Sequence, residues 1–218
     1  MLKHVVVHPG GEGLLPTVIA LHGHSANAHE FAGLEAHIAA GTALFVLPQG
    51  EFQLKPDVYG FTWLHRDNQG QRAADEPARI IATLTEFIDQ AIERYPIDPK
   101  RIVLMGFSMG AALAWSMALV NPKRYAGVAV LSGYLSEETS QGLDIGEGLE
   151  DLPILIQHGR HDSVADIGHI EAMVAQLGER GARIMYQPYE MGHEMSIESI
   201  RALSLWTAHT LRASADRV

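Results

Sequence analysis

Apolar residues recur along the chain as short unbroken runs, separated by longer stretches in which they return at helical spacing. Val5–Val7, Val18–His22, Ala43–Leu47, Ile102–Gly106, Gly127–Leu131, Ile154–Gln157 and Arg183–Gln187 are each long enough for one strand. Continuous runs of this kind suit strands covered on both faces. After the third run, Ile80, Ile81, Leu84, Ile88 and Ile92 line one side of a predicted helix. Pro77 stands in its first turn, where a missing N–H costs nothing. Ala111 to Val120, about Ala165 to Gly178 and about Ile197 to Leu211 predict further helices, the last with Ile200, Leu203 and Trp206 on one side. Such stripes are core surface. The alternation predicts an α/β fold: a mostly parallel central sheet with helices on both faces, in one domain spanning residues 1–218 without repeats or a linker.

Composition narrows the class. A chain of 218 residues with 47% apolar content can bury a large core. Zero cysteines exclude disulfides, thiolate metal sites and a cysteine nucleophile. A formal net charge of −10 argues against nucleic acid as a partner. The apolar stretch in Met1 to Pro9 is too short for a signal peptide and predicts an edge strand. No run approaches the roughly 20 apolar residues of a membrane span. A cytoplasmic protein is therefore expected.

The chemistry centres on Gly106-Phe-Ser-Met-Gly110, where a predicted strand becomes a predicted helix. A serine on so tight a turn takes strained backbone angles, and glycine on both sides removes the clashes bulkier residues would make. Ser108 is thereby presented above the sheet as a nucleophile. It needs a base, and the base needs an acid to fix its tautomer. Asp162 follows the Ile154–Gln157 run, and His193 lies on a glycine-containing loop after the Arg183–Gln187 run, in the chain order Ser, Asp, His. The chain has 12 histidines, so number alone singles out none of them. His158 reads as packed, His161 and His169 as surface, His209 as helical, and His4 and His8 as part of the first strand region. Asp151 precedes its strand, and Asp166 is explained by the dipole of the helix it begins. For the negative charge that develops on an attacked carbonyl, backbone N–H groups of Met109 and His24 are the expected donors. His24 lies on the loop after the Val18–His22 run.

With these elements in place, the chain resembles the α/β-hydrolases of the carboxylesterase/phospholipase group, the small cap-less serine hydrolases that include the acyl-protein thioesterases. Leu21-His-Gly-His, Gly60-Phe-Thr-Trp63, Asp98-Pro-Lys-Arg-Ile, Gly106-Phe-Ser-Met-Gly-Ala-Ala, His158-Gly-Arg-His-Asp and Gly192-His193 carry the resemblance, from about residue 15 to 210. It implies an α/β-hydrolase fold with no cap domain, a triad of Ser108, Asp162 and His193, and an oxyanion hole from His24 and Met109. Two positions depart from the thioesterase branch: Met109 stands where glutamine is usual, and Val164-Ala165-Asp166 where Val-Val-Pro is usual. They leave the chemistry intact and weaken any transfer of substrate identity.

Two segments lack the strand-helix rhythm. Gln49 to Asp75 carries Phe52, Tyr59, Phe61 and Trp63 and predicts an ordered loop. Phe61 and Trp63 are either a wall of the acyl pocket or, for Trp63, an anchor of the loop to the core. Gly133 to Asp151 holds Glu137, Glu138, Asp144, Glu147, Glu150 and Asp151 without a Lys or Arg, and is expected at the rim of the site. Bulky walls and an acidic mouth predict a carboxylesterase of short to medium, uncharged esters. The alternatives are an acyl-protein thioesterase or lysophospholipase and, further off, a hydrolase-fold protein that binds without turnover. Histidine groups His22, His24 and His29, and His158 and His161 with Asp162, admit a metal reading. The triad and strand ends already account for them. No metal and no cofactor are expected. The partner is a small-molecule ester, and a homodimer is expected if apolar residues at the site rim prove exposed.

Overall fold

The computed structural model describes residues 1–64, 73, 75–135 and 143–215. Its strands are β1 (His4–Val7), β2 (Leu15–Leu21), β3 (Leu44–Pro48), β4 (Phe52–Lys55), β5 (Val58–Thr62), β6 (Ile97–Phe107), β7 (Gly127–Leu131), β8 (Pro153–Gly159) and β9 (Arg183–Tyr189). Its α-helices are α1 (Glu76–Arg94), α2 (Met109–Val120), α3 (Ile167–Glu179) and α4 (Ile197–Ala213). Seven strands form one sheet in the order β1-β3-β2-β6-β7-β8-β9. Only β1 runs antiparallel, against β3. β2 and β6 begin earlier than their apolar runs because Leu15 pairs with Ile97 across a register shift.

Alternate residues of each strand face opposite layers. Ile19 and Leu21 point into a core shared with Ile80, Leu84 and Ile88 of α1, with α2, and with Ile170 of α3. Val18 and Ala20 point into a second core with Phe31, Ile38, and Leu203 and Trp206 of α4. Helices therefore cover both faces. Among the described residues, no helix is long and apolar enough to cross a membrane.

The structure corrects both irregular segments. Part of Gln49–Asp75 is a β-hairpin: β4 and β5 pair antiparallel, with Lys55 opposite Val58 around Pro56 and Asp57. This hairpin lies outside the main sheet. The start of Gly133–Asp151 borders the site, where Gly133, Tyr134 and Leu135 line a cavity beside Ser108, and residues 143–151 lie away from it. The segment leaves the carboxyl end of β7, and by Gly146 it has reached the far end of α2, where its amide donates to the Leu119 carbonyl at 2.9 Å. Glu147 pairs with Lys123 at 3.2 Å, and a 3-10 turn at Leu149–Asp151 leads into the amino end of β8. Glu147, Glu150 and Asp151 thus form no acidic mouth, because the crossing between two parallel strands must return to the amino end of the sheet. Glu137 and Glu138 lie outside the described residues.

Candidate active site

β3 flanks β2 on one side and β6 on the other, so the chain leaves the carboxyl ends of β2 and β6 in opposite directions. That divergence opens the crevice in which open α/β sheets build their sites. His22 follows β2 and Ser108 follows β6, on the two walls of this crevice.

Ser108 sits between β6 and α2 with φ 53° and ψ −118°. A non-glycine residue held there stores strain of order 1–3 kcal/mol. The turn survives because neighbours over-determine it. The Ser108 amide donates to Leu131 O at 2.9 Å, and its carbonyl accepts from Ala111 and Ala112 at 3.0 and 3.2 Å. A Cβ added to Gly106 would collide with the Gly110 carbonyl, and one on Gly110 with the Leu21 carbonyl. Both glycines are what let the elbow close onto β2.

The loops after β8 and β9 are laced together. Arg160 N donates to Tyr189 O at 2.8 Å, and His161 N to Met191 O at 3.1 Å. This brings Asp162 and His193 face to face. His193 Nδ1–H donates to Asp162 Oδ2 at 2.8 Å, and His193 Nε2 accepts from Ser108 Oγ at 3.0 Å. The other carboxylate oxygen, Oδ1, accepts the Val164 and Ala165 amides, each at 2.8 Å. His193 remains partly exposed while the Asp162 side chain is fully buried. Burial works against the Asp162 charge, but the Ala165 amide, His193 and the Val164 amide outweigh it and hold the carboxyl below the usual carboxylate range. Because its folded value is depressed, ionised Asp162 stabilises the fold fully above about pH 4, and that contribution is lost as pH falls through the folded value. His158 also approaches Asp162, at 3.5 Å, but its Nε2–H donates to the Ala165 carbonyl at 2.8 Å. It packs beneath the acid and does not replace His193.

The His22–His24 turn is built with equal care. Burial lowers the His22 pKa against the Gly23 hydrogen bond. The His22 Nδ1–H donates to Gly23 O at 2.7 Å, and its Nε2 accepts the Gly50 amide at 2.9 Å. C=O and N–H of a trans peptide point opposite ways, so fixing the Gly23 carbonyl also fixes the direction of the His24 N–H. Glu30 Oε2 accepts the Gly23 amide at 2.7 Å. Burial raises the Glu30 pKa, opposed by that bond and by His193. Thr62 Oγ1 donates to Met109 Sδ at 3.4 Å, which leaves it to accept from His24 Nδ1 at 3.1 Å.

Beside Ser108 lies a cavity of about 370 Å³, with Leu64, Pro77, Ile81, Met109, Tyr134 and Val164 among its walls. Neither Phe61 nor Trp63 lines it, contrary to the pocket-wall expectation. Trp63 is fully buried, lies tilted against the His22 ring with centroids 4.7 Å apart and donates Nε1–H to His22 O at 2.8 Å. Its size and its indole donor are spent anchoring the turn. The Phe61 ring meets Tyr59 edge-on at 5.3 Å. Both His22 nitrogens are engaged as above, and His158 Nε2 is held by the Ala165 carbonyl, while its buried Nδ1 has no hydrogen-bond partner among the described residues. Among the described residues, no three His, Cys, Asp or Glu side chains converge on a metal site.

A family model described as phospholipase/carboxylesterase matches residues 2–211. Carboxylesterase SOBER1 of Arabidopsis thaliana is 30% identical over 130 residues, 59% of this chain and 57% of that protein. Acyl-protein thioesterase 1 of Cryptococcus neoformans is 27% identical over 176 residues, 76% of this chain and 73% of that one. The chain spans about half the length of the curated relatives it matches, 46% for a probable carboxylesterase SOBER1-like of Arabidopsis thaliana. Among solved structures, the Bacillus cereus carboxylesterase superposes with a TM-score of 0.81 at 20% identity, covering 96% of this chain and 95% of that one. At that identity the likeness concerns the fold.

Proposed function

From the membership of this chain in the phospholipase/carboxylesterase family, we propose that it is a serine esterase cleaving short to medium acyl esters through an acyl-enzyme intermediate. The observation that carries the proposal is the unbroken line from Ser108 Oγ through His193 to buried Asp162. In the proposed reaction His193 Nε2 takes the Ser108 proton as Oγ bonds to the ester carbonyl carbon. The oxyanion turns toward the His24 and Met109 amides, and Met109 begins α2, whose N-terminus favours negative charge. Donors so placed are worth on the order of 3 kcal/mol each. The tetrahedral species collapses, His193 gives its proton to the departing alcohol, and water repeats the sequence on the acyl group. Asp162 keeps the Nδ1 proton throughout and stabilises the imidazolium.

The apolar walls beside Ser108 support the acyl preference. Each methylene gains up to about 0.8 kcal/mol while it finds apolar wall to cover. With p-nitrophenyl esters, kcat/KM is expected to rise over the first few carbons and then flatten. Ile81→Ala, which removes wall from the cavity, is expected to cut the hexanoyl-over-acetyl preference several-fold. A preference for palmitoyl thioesters over hexanoyl esters would overturn the chain-length reading in favour of thioesterase activity. Prolonged chelation is expected to leave ester hydrolysis unchanged. Activity lost to a chelator and restored by zinc would overturn the metal-free mechanism. Exposed Val164 at the cavity is the apolar rim residue on which the conditional homodimer would rest.

A further inference from the structure

We propose that Thr62 is a positioning residue of this reaction, its hydroxyl tying the His24 turn to the first residue of α2 and so setting the spacing of the two oxyanion amides. The inference rests on the esterase reading above. The amides come from turns after different strands, and the β2–β6 ladder that joins those strands ends at Leu21 and Gly106. Beyond that pair, the close approach of Gly110 to the Leu21 and His22 carbonyls sets the coarse separation, and a side-chain link between His24 and Met109 refines it. Thr62 reaches both residues: Oγ1–H donates to Met109 Sδ at 3.4 Å and Oγ1 accepts from His24 Nδ1 at 3.1 Å. Direction and stoichiometry agree, since one hydroxyl gives one proton and receives one.

Thr62 is also on a rigid mount. It is buried, and the residue on each side of it is pinned to the same turn. Phe61 N donates to Ala26 O at 2.7 Å, Ser25 N donates to Phe61 O at 2.9 Å, and Trp63 Nε1 donates to His22 O at 2.8 Å. The β4–β5 hairpin therefore runs alongside residues 22–26 as a brace, and Thr62 extends that brace across the crevice to α2. A misplacement of about 1 Å in such a site costs on the order of 10²-fold in rate.

Thr62→Val keeps the shape and removes both hydrogen bonds, and Thr62→Ser keeps the hydroxyl and drops the methyl. The measurements are steady-state hydrolysis of p-nitrophenyl butyrate, inhibition by a trifluoromethyl ketone that forms a tetrahedral adduct, and thermal unfolding to verify the fold. Thr62→Val is expected to lower kcat about 10- to 100-fold with KM changed less than about threefold. Its Ki for the ketone should rise by the factor that kcat/KM falls. Thr62→Ser should stay within about threefold of the wild type, the range of a retained hydrogen bond. Wild-type kcat and Ki in Thr62→Val overturn the proposal, as does a Thr62→Ser variant impaired as severely as Thr62→Val. Fluorophosphonate labelling of wild-type Ser108 separates the two levels. Without it the esterase reading falls and this one with it; with it, an unimpaired Thr62→Val removes the Thr62 role alone.

Discussion

Ser108→Ala is expected to lower kcat by about 10⁴-fold or more while the protein stays folded, the largest single effect on this site. The substitution removes one oxygen atom. Alanine inherits the same strained turn, and the bonds that hold it all involve the main chain: the amide on Leu131 O and the carbonyl receiving Ala111 and Ala112. Stability should therefore change little, and chemistry should bear nearly the whole loss. The His24 and Met109 amides remain, so the residual rate should still exceed that in water. A fluorophosphonate probe on the wild type should place its adduct on the Ser108 peptide by mass spectrometry, and Ser108→Ala should abolish labelling. An adduct on another serine, or near-wild-type turnover in Ser108→Ala, would sink the assignment.

The middle of the sheet was legible because its strands are continuous apolar runs. Val18–Leu21, Leu44–Leu47, Ile102–Met105 and Val128–Leu131 are buried on both faces, and no solvent-facing alternation blurs them. The elbow was legible for a different reason. Gly106 and Gly110 are required by backbone collisions between turns of local sequence and β2, so a five-residue spacing encodes a three-dimensional constraint. Asp162 and His193 could be found only through the order of strands, because the hydrogen bonds that bring their loops together join main-chain atoms of Arg160, His161, Tyr189 and Met191. Any side chain could stand at those positions.

What sequence reading missed shares one property: it depends on which element lies beside which. Trp63 resembles a pocket aromatic by composition, and only its neighbours reveal that its indole donor belongs to the His22 carbonyl. Thr62 has no motif, since a threonine in a strand is ordinary until His24 and Met109 are seen on either side of it. Glu30 likewise lacked a signal. It lies seven residues from the Gly23 amide it accepts, a separation outside any capping pattern. Glu147, Glu150 and Asp151 were misplaced because their charge was read without the direction of the crossing that carries them. In each case the local pattern was sound and the partner was remote.

Asp162→Asn is expected to lower kcat by about 10⁴-fold as well, through a tautomer and not through lost packing. The Val164 and Ala165 amides both donate to Oδ1, and only an oxygen can satisfy them. The asparagine must therefore keep its carbonyl oxygen there and turn its NH₂ toward His193 Nδ1. That nitrogen then has to accept, which moves the imidazole proton to Nε2. An Nε2–H cannot take the proton of Ser108 Oγ, although Oγ lies 3.0 Å away. Geometry is retained and proton transfer fails. His193→Ala should lose a comparable factor, and the Asp162→Asn/His193→Ala double variant little more, because the two act as one unit. His161→Ala serves as the control: its exposed ring pairs with Glu190 at 2.9 Å and should leave turnover within about twofold, as surface substitutions usually do. An Asp162→Asn variant within tenfold of the wild type at neutral pH, verified as folded by circular dichroism, would show that the acid does not set the tautomer of His193.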